Sequence, residues 1–378
     1  MKTVFSAELP TRGLLSRNHQ LTAIRHDPSK GKIMLKADCY VKLLSTAQEA
    51  FGAARQEAWD NMVGDAPIEE DQLFWLIDTA LPRLEKHWIP LMKGSGISMR
   101  LSGVFCHKTP LAVYDDSKNP SGPKIRRELG DLLLVHDRIG RNAGRQALLM
   151  QAKRMENTLL KADNPEQARL YSEWPPFKLR GQGGNGSNFI DGDRHFDGCR
   201  DGVRYLIFDD ARYPSHKSRC CNWCYCPWCD SACDHVNGWL VSDPRGTVGL
   251  PGSEDLATTF VNMLFNVYPP RGKATKRYLP TDTLKLGIDE DFDVTVHELL
   301  TKTFSKDLLT TKRGRHARRR GQETSFMGVD SLGLISDSPL AFLTAAVGSG
   351  TEPPKSERVD TEGEGGPIAI VLVETFAD

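Results

Sequence analysis

The sequence has no excess of charge, no long hydrophobic run and no internal repeat. Lys+Arg and Asp+Glu are equal at 49 each over 378 residues, so no global field draws the chain to nucleic acid or to a membrane. Binding of either kind must come from local patches. No apolar stretch approaches the roughly 18 residues of a membrane span, and residues 1–20 carry polar interruptions in place of a signal-peptide core. The expectation is a soluble, cytoplasmic protein. A phosphate loop is also missing: "GQGGNGS" (181–187) lacks the GK[ST] ending, and no strand is expected before it. His107, His195, His216 and His235 show no pairing with a nucleophilic Ser or Cys, which argues against a Cys–His hydrolase. Hydrophobic residues are lean at 39%, yet enough for the core of one large or two modest domains.

What is present begins with helical patterns at 45–63 and 68–92, the second with a kink or break expected at Pro82. Residues 97–114 read as extended, and "DDSKNPSGPK" (115–124) as a loop. Two apolar runs follow, "DLLLV" (131–135) and "ALLMQ" (147–151), separated by the charged "HDRIGRNAGR". They suggest antiparallel neighbours joined by a modest loop. Asn164 and Pro165 open a helix that Pro175 stops, and "VRYLIF" (203–208) is a further strand. Later elements are a short strand at 238–243, helices near 253–266 and 292–310, and a closing β-branched strand at 367–376. From residue 68 the order is helix, strand, strand, strand, helix, strand.

Polar residues sit at telling places in the middle strands. Gln151 and Lys153 are two apart, so they share one face of their strand. Asp131 stands at the mouth of the neighbouring run, after Gly130, with Glu128 three residues earlier. If the runs pair, Asp131 lies beside Gln151 and Lys153. Carboxylate and amide oxygens form a hard-ligand set suited to Mg²⁺, and a lysine in reach can position a water or stabilise charge on a phosphate.

"ELGDLLLV…ALLMQAKR", with its D…QxK spacing, resembles the core of the PD-(D/E)xK nuclease superfamily. The resemblance covers roughly residues 68–210 and implies an α/β fold with an αβββαβ restriction endonuclease-like core. It implies that Asp131 and Gln151 form a catalytic Mg²⁺ site and that Lys153 is the catalytic lysine. Glu85, with Glu69 as the alternative, would be an auxiliary acid of the first helix. Gln167 and Tyr171 fall where related nucleases place an accessory polar residue, and Glu128 is a further candidate ligand. Gln151 departs from the commoner Asp or Glu. The activity implied is Mg²⁺-dependent hydrolysis of double-stranded DNA, of the kind found in restriction or antiphage systems, by an enzyme that can act as a homodimer or with a defence-system partner.

Six of nine cysteines fall within residues 220–233. "CCNWCYCPWCDSACDH" offers Cys221, Cys224, Cys226, Cys229, Cys233 and His235, from which four ligands would hold a structural Zn²⁺. Cys199, His195 and His216 could join them, and an iron–sulfur cluster is the alternative. An all-thiolate site leaves no open position for substrate, so its role is structural. "KRGRHARRR" (312–320) packs six Lys and Arg into nine residues, a local patch able to meet phosphates, and Arg126 and Arg127 could assist. The resulting organisation is an N-terminal mixed segment (1–67), a nuclease-like core (68–215), a cysteine-rich insertion (216–240) and a C-terminal region completing the fold (241–378). A non-catalytic nucleic-acid-binding or adaptor protein built around the zinc module is the competing reading.

Overall fold

The computed structural model describes residues 37–62, 67–105, 110–116, 119–140, 143–156, 159–160, 165–180, 189–196, 199–209, 239–242, 254–265, 272–278, 282–287, 290–303, 326–330 and 368–377. The expected zinc ligands Cys221, Cys224, Cys226, Cys229, Cys233 and His235, His216, and the basic run 312–320 lie outside the described residues.

Helix α1 (Ala37–Asp60) buries Leu43, Ala47, Ala50, Phe51, Ala54 and Ala58, a helical stripe that starts eight residues before the expected position. It packs against α3 (Leu81–Lys93) and α5 (Leu256–Phe265), so this part of the N-terminal segment joins the core. The Trp88 indole fastens it, donating to Leu43 O at 3.1 Å and Thr46 Oγ1 at 2.8 Å. Between α2 (Glu69–Trp75) and α3 the chain makes a π-helical turn, Leu76–Ala80, and Pro82 falls at the start of α3. The break expected at Pro82 is thus a widened turn. A proline there has no N–H to give and would crowd the carbonyl four residues back, and the widened turn accommodates both.

The extended stretch 97–114 divides between two sheets. Strand β1 (Ile97–Phe105) enters a mixed ten-stranded sheet, whereas β2 (Leu111–Tyr114) is the centre of a small sheet between β3 (Ile125–Glu128) and β7 (Phe177–Arg180). The chain then crosses through Leu129–Asp131 into β4 (Leu132–Gly140), which pairs antiparallel with β5 (Gly144–Glu156). β5 pairs with the short β6 (Leu159–Leu160), and α4 (Pro165–Glu173) then leads to β8 (Val203–Asp209), parallel to β5. β9 (Trp239–Ser242) and β10 (Glu254–Asp255) extend that edge, and β11 (Lys273–Thr275) pairs with β5. On the other side β13 (Ala369–Ala377) runs parallel to β4 and antiparallel to β1, and β12 (Phe326–Asp330) follows β1. The closing strand is therefore wedged inside the sheet.

One face of the sheet carries α1, α2, α3 and α5, joined by Phe51, Trp88, Phe260 and Trp239. The other carries α4, α6 (Asp291–Thr303) and the small sheet over a core that includes Leu133, Val135, Leu149, Tyr205, Phe292 and Leu372. The fold is mixed α/β.

The stretch 136–145 is mostly strand, not loop. Its charges are tolerated because Asp137 and Arg145 face each other across the hairpin, 2.7 Å apart and buried. The same level of the sheet continues through Glu374, beside Asp137 on β13, and Arg100, opposite Glu374 on β1. Arg100 Nε lies 3.0 Å from Glu374 Oε2, and Arg277 Nε 3.5 Å from Asp137 Oδ2. A row of charges thus crosses four strands inside the protein.

Candidate active site

Asp131 is set where two sheets meet. Its backbone N–H donates to Met150 O at 2.9 Å, continuing the β4–β5 ladder by one residue and placing it beside Gln151. Gly130 makes the crossing possible: a Cβ there would come within 2.8 Å of both Leu149 Cδ1 and the Tyr171 hydroxyl. Tyr171, on α4, donates its hydroxyl to Leu129 O at 2.8 Å and stacks on Tyr205, the β8 neighbour of Gln151. The approach to Asp131 is held from three sides.

Gln151 and Lys153 share the face of β5 that bears Ala147 and Leu149, the face covered by α4 and α6. The Gln151 amide N–H donates to Asp131 Oδ2, which also accepts from Ala152 N at 2.6 Å. Gln167, buried on α4, donates to Gln151 Oε1 at 2.9 Å and to Glu128 O at 3.1 Å. One amide on α4 therefore ties the end of β3 to β5 and fixes which way the Gln151 amide faces. Nearby, Arg127 pairs with Glu166, the residue before Gln167, so α4 is clamped to β3 a second time.

Burial raises the Asp131 carboxyl well above the usual carboxylate range, and the negative charges of Glu128 and Glu70 push it further. Lys153 and the Ala152 N–H act the other way. The sequence-predicted residues Asp131, Gln151, Lys153, Glu128 and Gln167 thus come together. For the helical acid the place differs. Glu70 on α2 is the helical carboxylate that bears on Asp131, while its neighbour Glu69 accepts from Arg154 N at 3.1 Å. Glu85 sits on α3, which packs against β1, three strands from β5 in the sheet order. The acidic first turn Glu69–Asp71 was the signal for this position. His195 is exposed, and its backbone N–H donates to Asp291 Oδ2 at 2.7 Å, tying this segment to α6.

Among the described residues no three His, Cys, Asp or Glu side chains stand at metal-ligand spacing. A cation here would rest on few protein ligands, a situation that suits Mg²⁺ because it keeps several waters. The donors at hand are hard oxygens, from Asp131 with Glu128 and Glu70 close enough to act on its charge. Their mutual repulsion is of the kind that a divalent cation relieves. The residues therefore fit the group in chemistry. Gln151 would offer its own oxygen only with its amide turned over, together with that of Gln167. No protein-family profile, curated protein or solved structure matches this chain.

Proposed function

We propose that this protein is a metal-dependent nuclease that hydrolyses phosphodiester bonds of DNA, built on a restriction endonuclease-like αβββαβ core of α3, β1, β4, β5, α4 and β8, with β13 inserted between β1 and β4. The observation that carries the reading is the meeting of Asp131, Gln151 and Lys153 at the start of one strand and the end of its neighbour. A bound Mg²⁺, held by Asp131 with Gln151, would supply charge stabilisation to phosphoryl oxygens and a water of lowered pKa. Lys153 brings a positive charge beside Asp131, where negative charge builds on a phosphate under attack. Gln167 holds Gln151 in place, and Gly130 with Tyr171 holds the Asp131 backbone. Their rigidity matters because misplacement of such groups by about 1 Å can cost ~10²-fold in rate.

The test is cleavage of supercoiled plasmid by the purified chain with Mg²⁺ or Mn²⁺, beside Asp131→Ala and Lys153→Ala. Nicking or linearisation by the wild type alone is expected. Equal behaviour of all three proteins would end the nuclease reading and favour a binding or adaptor protein.

A further inference from the structure

Apart from Glu128, the outer face of the small sheet has no place in the chemistry above, yet it leads straight to it. In this sheet Val113 of β2 lies between Arg126 of β3 and Lys178 of β7, and Leu111 lies between Glu128 and Arg180. Residues paired across strands share a face, and so do residues two apart. Arg126, Lys178 and Arg180 therefore stand on one side, with Glu128. The other side carries Ala112, Tyr114, Phe177 and Leu179, all buried in the core. The basic side is open: Arg126 is exposed, and the side chains of Lys178 and Arg180 are 40% and 39% exposed. Arg126 and Lys178 are two strand spacings apart, about 10 Å at the backbone. From Arg126 the chain runs directly through Glu128 to Asp131.

We infer that this face is a platform for the phosphodiester backbone of a nucleic-acid duplex, delivering it to Asp131; the inference rests on the nuclease reading. Charge complementarity carries it, because arginine and lysine side chains on a sheet can meet several phosphates at once. Among the described residues, the acidic groups on or beside this face include Glu128, Asp191 and, at its far end, Asp115, which is paired with Lys124. Asp191 Oδ1 accepts from Arg180 Nη2 at 3.1 Å and lies 3.9 Å from Lys178 Nζ. It occupies both cations in the free protein and is the charge that an incoming phosphate displaces.

The test is fluorescence anisotropy of full-length protein, in a Lys153→Ala background that leaves the probe uncut, with a labelled 30-base-pair DNA duplex over a salt series. R126E/K178E/R180E is expected to weaken binding by about ten-fold or more and to flatten the slope of log K against log salt by roughly two to three. Asp191→Asn is expected to tighten binding by about three-fold, an increase that a merely structural residue would not produce. It alters one exposed side chain, so it decides the matter even if the triple variant fails to fold. A same-length RNA duplex distinguishes the source of the backbone: equal losses with both duplexes, or a loss with DNA alone, support the platform. Unchanged affinity and slope in the triple variant overturn it, as does weaker binding by Asp191→Asn or no duplex binding at low salt. The two readings separate cleanly. Cleavage that depends on Asp131 but not on these cations would remove the platform alone. Duplex binding that depends on them, without cleavage by any divalent metal, would remove the nuclease alone.

Discussion

Two polar clusters lie on the same face of the large sheet, about six residues apart along β4 and hence roughly 20 Å, and they treat charge in opposite ways. At the far level, Arg100, Glu374, Asp137 and Arg145 alternate as cation, two anions and cation, with Glu374 and Asp137 both 0% exposed. Arg277 adds a further cation against Asp137. Every carboxylate there has a guanidinium beside it. At the near level, Asp131 feels Glu128 and Glu70 against one lysine, and burial sets its carboxyl high. In the first cluster each carboxylate meets a guanidinium, whereas the charges that act on Asp131 are weighted towards carboxylates. A protein bears such imbalance where something else is to be bound, which is how perturbed carboxyls mark functional sites.

The sharpest way to break this contrast is to exchange the consequences. Asp131→Ala is expected to lower plasmid cleavage by about 10²–10³-fold, in the range seen when one charge-stabilising group is removed. Its urea midpoint is expected to fall less than that of Asp137→Ala, since losing a destabilised carboxyl offsets the two N–H donors left on Gln151 and Ala152. A large fall in stability with unchanged cleavage per folded molecule would make Asp131 a structural residue and erase the difference between the levels.

Asp137→Ala should do the reverse. It leaves Arg145, 2% exposed, without its 2.7 Å partner, and stranding a buried charge costs about 3–5 kcal/mol. Urea denaturation reads the loss, while cleavage per folded molecule stays at the wild-type level. Replacing both residues, as Asp137→Leu with Arg145→Met, is expected to cost less than the single change, because no ion is then left unpaired.

The two levels were unequally legible in the sequence, for a physical reason. Asp131, Gln151 and Lys153 lie on consecutive strands, and a period of two puts Gln151 and Lys153 on one face whatever the rest of the chain does. Gln167 followed from the helix after β5. Glu70 did not, because its place depends on how α2, ahead of the π turn at Leu76–Ala80, meets β5. The charged row was hidden altogether. It exists only because β13 is wedged between β1 and β4, and nothing local at residues 369–377 reveals partners at 97–104 and 132–140. Asp137 and Arg145 consequently looked like loop residues. Long-range pairing turned a polar loop into a buried ladder.

His136 sharpens the contrast through pH. It lies on β4 next to the charged row, 1% exposed, with Nε2 2.9 Å from Thr375 Oγ1. Burial, aided by the charge of Arg138, lowers its pKa from 6.5 to about 3. Between those values the unfolded chain carries a proton that the folded chain does not. The contribution is therefore intact above pH ~6.5 and falls by about 1.4 kcal/mol per pH unit on acidification toward pH ~3. His136→Gln is expected to remove that slope from stability measured at pH 7, 6 and 5. An unchanged slope would mean that His136 is not held neutral by its burial.

Gln167 offers the smallest effect and the finest discrimination, because it touches the site without belonging to its charges. Its amide bonds Gln151 Oε1 and Glu128 O, and outer partners of this kind typically cost ~10–100-fold in metal affinity or activity when removed. Gln167→Ala is expected at the lower end, about ten-fold in cleavage, with the loss partly recovered at higher Mn²⁺ concentration. Gln167→Glu replaces the donor to Gln151 Oε1 with a carboxylate, so the Gln151 amide must turn to present its N–H to α4 and its oxygen to Asp131. If Gln151 serves a cation through that oxygen, Gln167→Glu retains more cleavage than Gln167→Ala. If its role is to donate to Asp131 Oδ2 as it does here, Gln167→Glu falls below Gln167→Ala. Either ranking assigns the working orientation of the one residue that departs from an acidic ligand.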